Sequence, residues 1–350
     1  MTLEIKLKTD MNEDGNAKLK KLLLSGGAIV GAAALFNAFA RQGVDRLTNL
    51  IGGEEGGFSW RGRRISFTKR GSGPALLLVH GIYPAAWSYE WRNNVDYLAR
   101  TNTVYTIDLL GFGRSDRPAI RYSARLYISL ISDFAAQVIG TQCVLVASSL
   151  SAAYALVLGA RDPQRFPGLV IIAPSGLVRL TETGSVALDA GRLALDSPVL
   201  GTAAFNAMVS SRALRAHLRK KYSDNTIVTP ELVRVAHTTT HQRGARHALA
   251  AEFAGQLNID VSRAVRRLMQ PTLLVWGSDS TEAPLDEATR YRSIQPAIEL
   301  AVLSPAGDLP HDERAEDFNV IVSAWLSRQS LSSAPTPATL PGTPEALPRK

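Results

Sequence analysis

The sequence predicts an α/β fold: a mostly parallel sheet with helices on both faces and an inserted helical cap. Three observations predict it. Short apolar runs alternate with helical patterns from Ile65 to Ser327, which is the signature of strand–helix–strand units. Runs such as Ala75–His80 and Thr272–Trp276 are apolar throughout rather than alternating, as strands buried on both faces require. The alternation then breaks once. About 100 residues between Ala173 and Thr272 carry helical patterns and few strand signals, which reads as an insertion.

The strands follow in order. Ile65–Lys69 alternates and reads as an edge strand; Ala75–His80, Thr103–Ile107, Cys143–Ala147, Gly168–Ile172, Thr272–Trp276 and Glu299–Leu303 read as buried ones. Helical periodicity falls at Trp87–Ala99, Ala124–Ile139, Leu150–Ala160 and Arg314–Ser327. The core therefore comprises residues 58–176 and 271–328, with the cap at 177–270.

Both ends lie outside that core. Residues 1–51 form a polar segment followed by an apolar or amphipathic helix. Leu22–Ala40 run 19 positions without a charge, preceded by Lys18, Lys20 and Lys21. That length meets the threshold for a membrane span, and the lysines suit an N-in orientation. Ala38-Phe39-Ala40 resembles a small-residue cleavage site. However, Ile29, Ala33, Phe36, Ala40, Val44, Leu47 and Ile51 make a three-to-four stripe that continues past Arg41, as in an amphipathic helix lying on a membrane or on the protein. Two locations follow: membrane-associated or exported, and alternatively cytoplasmic. Gly52-Gly53-Glu54-Glu55-Gly56-Gly57 reads as a hinge. The tail, 331–350, holds five prolines among Ser, Thr and Ala and is expected to be disordered.

Composition excludes several classes. The chain has 350 residues, 45% hydrophobic and 20% charged, so it is neither disordered nor fibrous. A single cysteine, Cys143, excludes a disulfide framework and a Cys-rich zinc site. The net charge is +8. Most of it lies between Leu177 and Gln270, where 13 Lys/Arg face 7 Asp/Glu, a net of +6. The excess reads either as a solvated helix face or as a patch for an acidic partner, a membrane surface or an anionic substrate. No nucleic-acid motif accompanies it, so nucleic acid is not an expected partner.

Chemistry is expected beyond the carboxyl ends of the strands, where open α/β sheets bind ligands. Three strand ends stand out. Leu77-Leu78-Val79-His80-Gly81-Ile82 ends in a glycine that permits a sharp turn. Asp108-Leu109-Leu110-Gly111-Phe112-Gly113-Arg114-Ser115-Asp116 follows the second strand end. Val144 through Ala153 run from a strand into a helix across Ser148-Ser149.

Together, in this order and spacing, these segments resemble the α/β-hydrolase superfamily over roughly Phe58 to Ser327. The resemblance implies a serine nucleophile at Ser149, with the N–H groups of Ile82 and Leu150 as the oxyanion hole. The elbow, usually G-x-S-x-G, is Ala147-Ser148-Ser149-Leu150-Ser151, with small residues in place of both glycines. Ser149 also reads, more simply, as a helix N-cap. The segment resembling G-H-x-x-x-x-E-x-P-E-x-F is Gly307-Asp308-Leu309-Pro310-His311-Asp312-Glu313-Arg314-Ala315-Glu316-Asp317-Phe318. The usual histidine position is thus Asp308. The pattern W-G-x-x-D-x-x-x-P aligns on Trp276-Gly277 and Pro284, which puts Ser280 at the aspartate position and Asp279 one residue early. The triad is degenerate.

Two rescues supply a base. His311 swings in, oriented by Asp308 or Asp279; or a cap histidine reaches down from among His217, His237, His241 and His247. His237 and His241 share a helix face, but no third ligand completes a zinc motif, so no metal and no cofactor are expected. Two functions remain open. One is a serine hydrolase of small lipophilic ester or acyl substrates with a rearranged triad. The other is a non-catalytic ligand-binding protein that kept the pocket and lost the base. His80, Asp108, Arg114, Trp87 and Trp91 read as structural, and Cys143 as inert.

Overall fold

Eight strands form one sheet. The structure, a computed structural model, describes residues 27–177 and 197–329. Lys18, Lys20 and Lys21, residues 22–26, most of the early cap and the tail lie outside the described residues. In chain order the elements are α1 (27–40), β1 (Glu54–Trp60), β2 (Arg63–Arg70), β3 (Ala75–Val79), α2 (Val95–Leu98), β4 (Thr103–Ile107), α3 (Ala124–Phe134), β5 (Cys143–Ser148), α4 (Ser149–Arg161) and β6 (Leu169–Ile172). There follow α5 (Leu200–Met208), α6 (Ser211–Lys221), α7 (Pro230–Thr240), α8 (Ala245–Phe253), α9 (Ser262–Arg266), β7 (Thr272–Gly277), α10 (Leu285–Ile294), β8 (Glu299–Leu303), α11 (Pro310–Glu313) and α12 (Ala315–Arg328).

The strand order is β1-β2-β4-β3-β5-β6-β7-β8. Strands β3 to β8 run parallel, and β1 and β2 pair antiparallel at one edge. The central strands are apolar on both faces because helices cover both: every residue of β5, β6 and β7 is buried. The edge strand β8 is only partly covered, and Val302 on it is exposed. Parallel pairing brings the ends of β3, β5, β6, β7 and β8 to one side, which is where Ile82, Ser149, Ser175, Ser280 and Asp308 follow. Between β6 and β7 the described residues form helices α5 to α9 and no strand.

Several expectations change. The strand holding Ile65–Lys69 is not at the edge, since β2 pairs with β1 on one side and β4 on the other, whereas Glu299–Leu303, read as buried, is the partly covered edge strand β8. The segment Gly52–Gly57 is not a hinge. Gly52 and Gly53 make a turn at φ +72° and +83°, and β1 begins at Glu54. Gly56 is a strand glycine because the Phe67 ring lies against its backbone, where a Cβ would sit 2.1 Å from a ring carbon. The expected helix Trp87–Ala99 splits into a 3-10 turn, Ser88–Trp91, and the single turn of α2. The N-terminal stripe also fails to continue, since α1 ends at residue 40. Its small residues face inward: Ala33, Asn37 and Ala40 are half-buried, and Asn37 bonds to Val199 O (2.9 Å) and to Asn206 (3.0 Å). Its large apolar residues face outward, with Leu35 75% and Phe39 74% exposed. Among the described residues no helix is long and apolar enough to cross a membrane.

Candidate active site

The turn from β5 into α4 is constrained backbone, as are Ala85 after β3 and Ala173 after β6, all three at positive φ. Ser149 has φ +53°, in the left-handed region that costs a non-glycine residue about 1–2 kcal/mol. Such strain persists only where the surroundings fix it. Here Ala147, Ser148, Ser151, Ala152 and Ala153 are all buried, so the helix packs directly behind the turn. Ser149 itself is half-exposed.

Two backbone donors flank it. Among the described residues, neither the Ile82 nor the Leu150 N–H has a hydrogen-bond acceptor. Leu150 is in the first turn of α4, where N–H groups have no partner within the helix. Ile82 is presented by the turn at Gly81, where a side chain would meet the Tyr83 ring at 2.9 Å and Ser148 Oγ at 3.1 Å.

Beneath the elbow lies a buried carboxylate, Glu90. It accepts from the Gly81 N–H (3.0 Å), the Tyr83 hydroxyl (2.9 Å), the His311 Nε2–H (2.9 Å) and the Ser148 hydroxyl. Burial alone would raise the Glu90 carboxyl. The His311 hydrogen bond and charge and the Ser148 hydroxyl outweigh it and hold it at about 2. His311 is wholly buried against Trp91, at 4.6 Å between ring centroids, and Phe318, at 5.9 Å; its Nδ1 is buried without a partner. Among the described residues no hydrogen bond joins Ser149 Oγ to an imidazole.

Asp308 and Ser280 bond to each other. The Asp308 carboxylate accepts from the Ser280 hydroxyl (2.6 Å) and from the N–H groups of Thr281 and Glu282 (3.0 Å each). Asp279 lies outside this cluster. It is exposed, accepts from the Ser223 and Ser278 hydroxyls, and is lowered by those bonds.

Beside Ile82 a cavity of about 320 Å³ opens. Ile82, Tyr83, Met208, Leu214 and Phe253 give it an apolar wall, and His217, Glu252 and Glu282 are its polar lining. His217 comes from α6, one turn before the buried Lys221, which pairs with the exposed Glu282. The His217 Nε2 is buried and unpartnered. Burial and the Lys221 charge push this imidazole down to about 4, against the pull of Glu282 and Asp308. Burial, opposed by Lys221 and helped by Glu282, raises the Glu252 carboxyl to about 7.

The remaining sequence candidates are structural in placement. His80 donates from Nδ1 to Gly81 O (2.6 Å) and accepts at Nε2 from Leu109 N–H (3.0 Å). Asp108 ties Arg114 (2.9 Å) to the Ser88 N–H (2.9 Å). Cys143 is buried, its thiol pushed up to about 12. His237 and His241 stack at 3.8 Å, and among the described residues no group of three His, Cys, Asp or Glu is placed to hold a metal. Sequence reasoning missed Glu90, Glu252 and Lys221. An acidic residue between Trp87 and Trp91 was the one trace of Glu90. Glu252 and Lys221 left none, since their placement depends on how the cap folds back.

Comparison with known proteins agrees with the fold. A family model described as the alpha/beta hydrolase family matches residues 76–320. The 2-hydroxymuconate semialdehyde hydrolase of Pseudomonas sp. (strain CF600) is 28% identical over 279 residues, 76% of this chain and 91% of that protein. A crystal structure of a serine hydrolase involved in carbazole degradation superposes with a TM-score of 0.66 at 22% identity, over 78% of this chain and 98% of that one. A membrane phospholipase A, described as a bacterial virulence factor, superposes at 0.62 and 20% identity, over 90% of this chain and 97% of that one.

Proposed function

The chain belongs to the alpha/beta hydrolase family, and from that premise we propose that it is a serine hydrolase of small, lipophilic, uncharged esters or related acyl compounds. The observation that carries this reading is the left-handed Ser149 between two unpartnered N–H groups. That is the arrangement an acyl-transfer nucleophile and its oxyanion hole require. Ser149 Oγ attacks the substrate carbonyl, and the N–H groups of Ile82 and Leu150 take the developing oxyanion. A base accepts the hydroxyl proton and returns it to the leaving group; water then releases the acyl group by the same route.

The base in this proposal is His217. It shares a cavity with Ile82, its free lone pair is buried and unclaimed, and the imidazole is neutral above about pH 4. Asp308 sits near it to favour the imidazolium that forms. His311 is the weaker choice because its Nε2–H already serves Glu90. Glu252 and Glu282 on the lining, with Asp308 nearby, disfavour a substrate that carries its own carboxylate.

The test uses the purified full chain and a fluorophosphonate probe. Labelling is expected, and Ser149→Ala abolishes it. Absence of both labelling and turnover across short-chain esters would sink the hydrolase reading in favour of a ligand-binding protein.

We also propose that α1 lies on a lipid surface. Leu35 and Phe39 project outward, with Lys18, Lys20, Lys21 and Arg41 flanking the apolar run. Vesicle co-sedimentation that is unchanged in Leu35→Glu/Phe39→Glu would remove this placement.

A further inference from the structure

The polar groups on the cavity beside Ile82 differ in what they already hold. Glu282 pairs with Lys221. His217 is the base of the reaction proposed above. Glu252, on the last turn of α8, is left over: its Oε2 is buried without a partner among the described residues. An unmet buried acceptor costs about 1–3 kcal/mol, which a ligand group that completes it restores.

Resting on the reading of this cavity as the substrate site, we propose that Glu252 determines specificity by binding a hydroxyl group of the substrate. The preferred substrate is then a lipophilic ester with a free hydroxyl on its acyl or alcohol part.

The chemistry of the lining selects the hydroxyl. With its carboxyl near 7, Glu252 is present both charged and neutral at neutral pH. A carboxylate only accepts a hydrogen bond, whereas a carboxylic acid also donates one. A hydroxyl donates to the first and accepts from the second, so it suits Glu252 in either state. A ketone or ether oxygen only accepts and suits the neutral form alone. An ammonium suits the charged form alone, and the nearby Lys221 charge acts against it. The rest of the lining takes the lipophilic part. Ile82, Pro84, Val209 and Leu214 bring no polar side chain, and Met208 and Phe253 are left 48% and 37% exposed. A volume of about 320 Å³ suits a small ligand. The plainer reading of a buried carboxylate is structural, and in this molecule that case looks like Glu90, which receives four donors. Glu252 has no such set.

The test uses the full chain carrying Ser149→Ala, in which esters stay intact, and two esters matched in heavy-atom count: ω-hydroxybutyl butanoate and pentyl butanoate. Calorimetry reads both Kd values in Ser149→Ala and in Ser149→Ala/Glu252→Leu. Ser149→Ala is expected to bind the hydroxy ester at least as tightly as the alkyl ester, although a hydroxyl costs more to desolvate. Glu252→Leu is expected to weaken the hydroxy ester about tenfold or more relative to the alkyl one. Weaker binding of the hydroxy ester in Ser149→Ala, a smaller shift in Glu252→Leu, or no saturable binding of either ester overturns the proposal. If melting shows that the leucine variant does not fold, the comparison within Ser149→Ala decides alone. Glu252→Gln, whose amide also donates and accepts, is expected to keep the preference within about threefold, and its loss there overturns the proposal too. Fluorophosphonate labelling of the unsubstituted chain is read separately. Labelling without a hydroxyl preference overturns this inference and leaves the hydrolase reading; a hydroxyl preference without labelling does the reverse.

Discussion

The floor and the roof of the Ser149 site contain similar residues in opposite states. Below the elbow, Glu90 receives four hydrogen-bond donors, and its histidine is wedged between Trp91 and Phe318. In the cap, His217 Nε2 is buried without a partner among the described residues and Glu252 is buried with a carboxyl near 7. Both regions hold a buried carboxyl and a buried imidazole. In the floor four donors converge on Glu90, so the network fixes three chain segments, the β3 turn, the end of β5 and α11, and leaves only His311 Nδ1 without a partner in that cluster. In the roof Glu282 pairs with Lys221, whereas His217 Nε2 and one Glu252 oxygen are buried without a partner among the described residues, on the lining of a cavity.

The contrast breaks or sharpens in four ways. The largest effect separates the two histidines. His217→Ala is expected to lower turnover about 1,000-fold with little change in melting, whereas His311→Ala lowers melting and leaves turnover per folded molecule nearly intact. The reverse pattern would exchange floor and roof. Next, Glu90→Gln breaks the buried pair and is expected to cost about 3–5 kcal/mol in urea unfolding. A loss below about 1 kcal/mol would show that the floor is not a keystone.

The pH dependence comes third. Glu90 titrates at about 2 in the fold against an ordinary 4.5, so it binds fewer protons folded than unfolded. Its contribution, about 3 kcal/mol, is present above pH 4.5 and is lost as pH falls toward 2. In turnover, the roof sets a different limit. Activity falls as His217 protonates near pH 4, and any inflection near 7 belongs to Glu252 and disappears in Glu252→Gln. An acid limb unmoved by His217 substitution would point to another base. The smallest effect is on the elbow itself. Ser149→Gly relieves the left-handed strain and is expected to raise stability by about 1 kcal/mol while abolishing probe labelling.

How legible was all this in the sequence? The sheet was legible because parallel strands are apolar on both faces, and each strand from β3 to β8 appeared as a continuous run. β1 was not, because its glycines answer to the Phe67 ring on the neighbouring strand, a contact that local pattern does not carry. The strand-to-helix turn at Ser149 was legible because a turn of this kind is a local device. Ser280 and Asp308 were legible as two departures, and only the fold brings them to 2.6 Å of each other. Glu90 and Glu252 stayed hidden because their meaning lies in partners 58 and 221 positions away for one, and in the folding-back of the cap for the other.

One short helix carries Glu252. α8 has nine residues, about 13 Å at 1.5 Å per residue. Its last turn places Glu252 and Phe253 on the lining shared with Ile82. A rod this short transmits displacement rather than absorbing it, so a shift at its first turn is felt at Glu252.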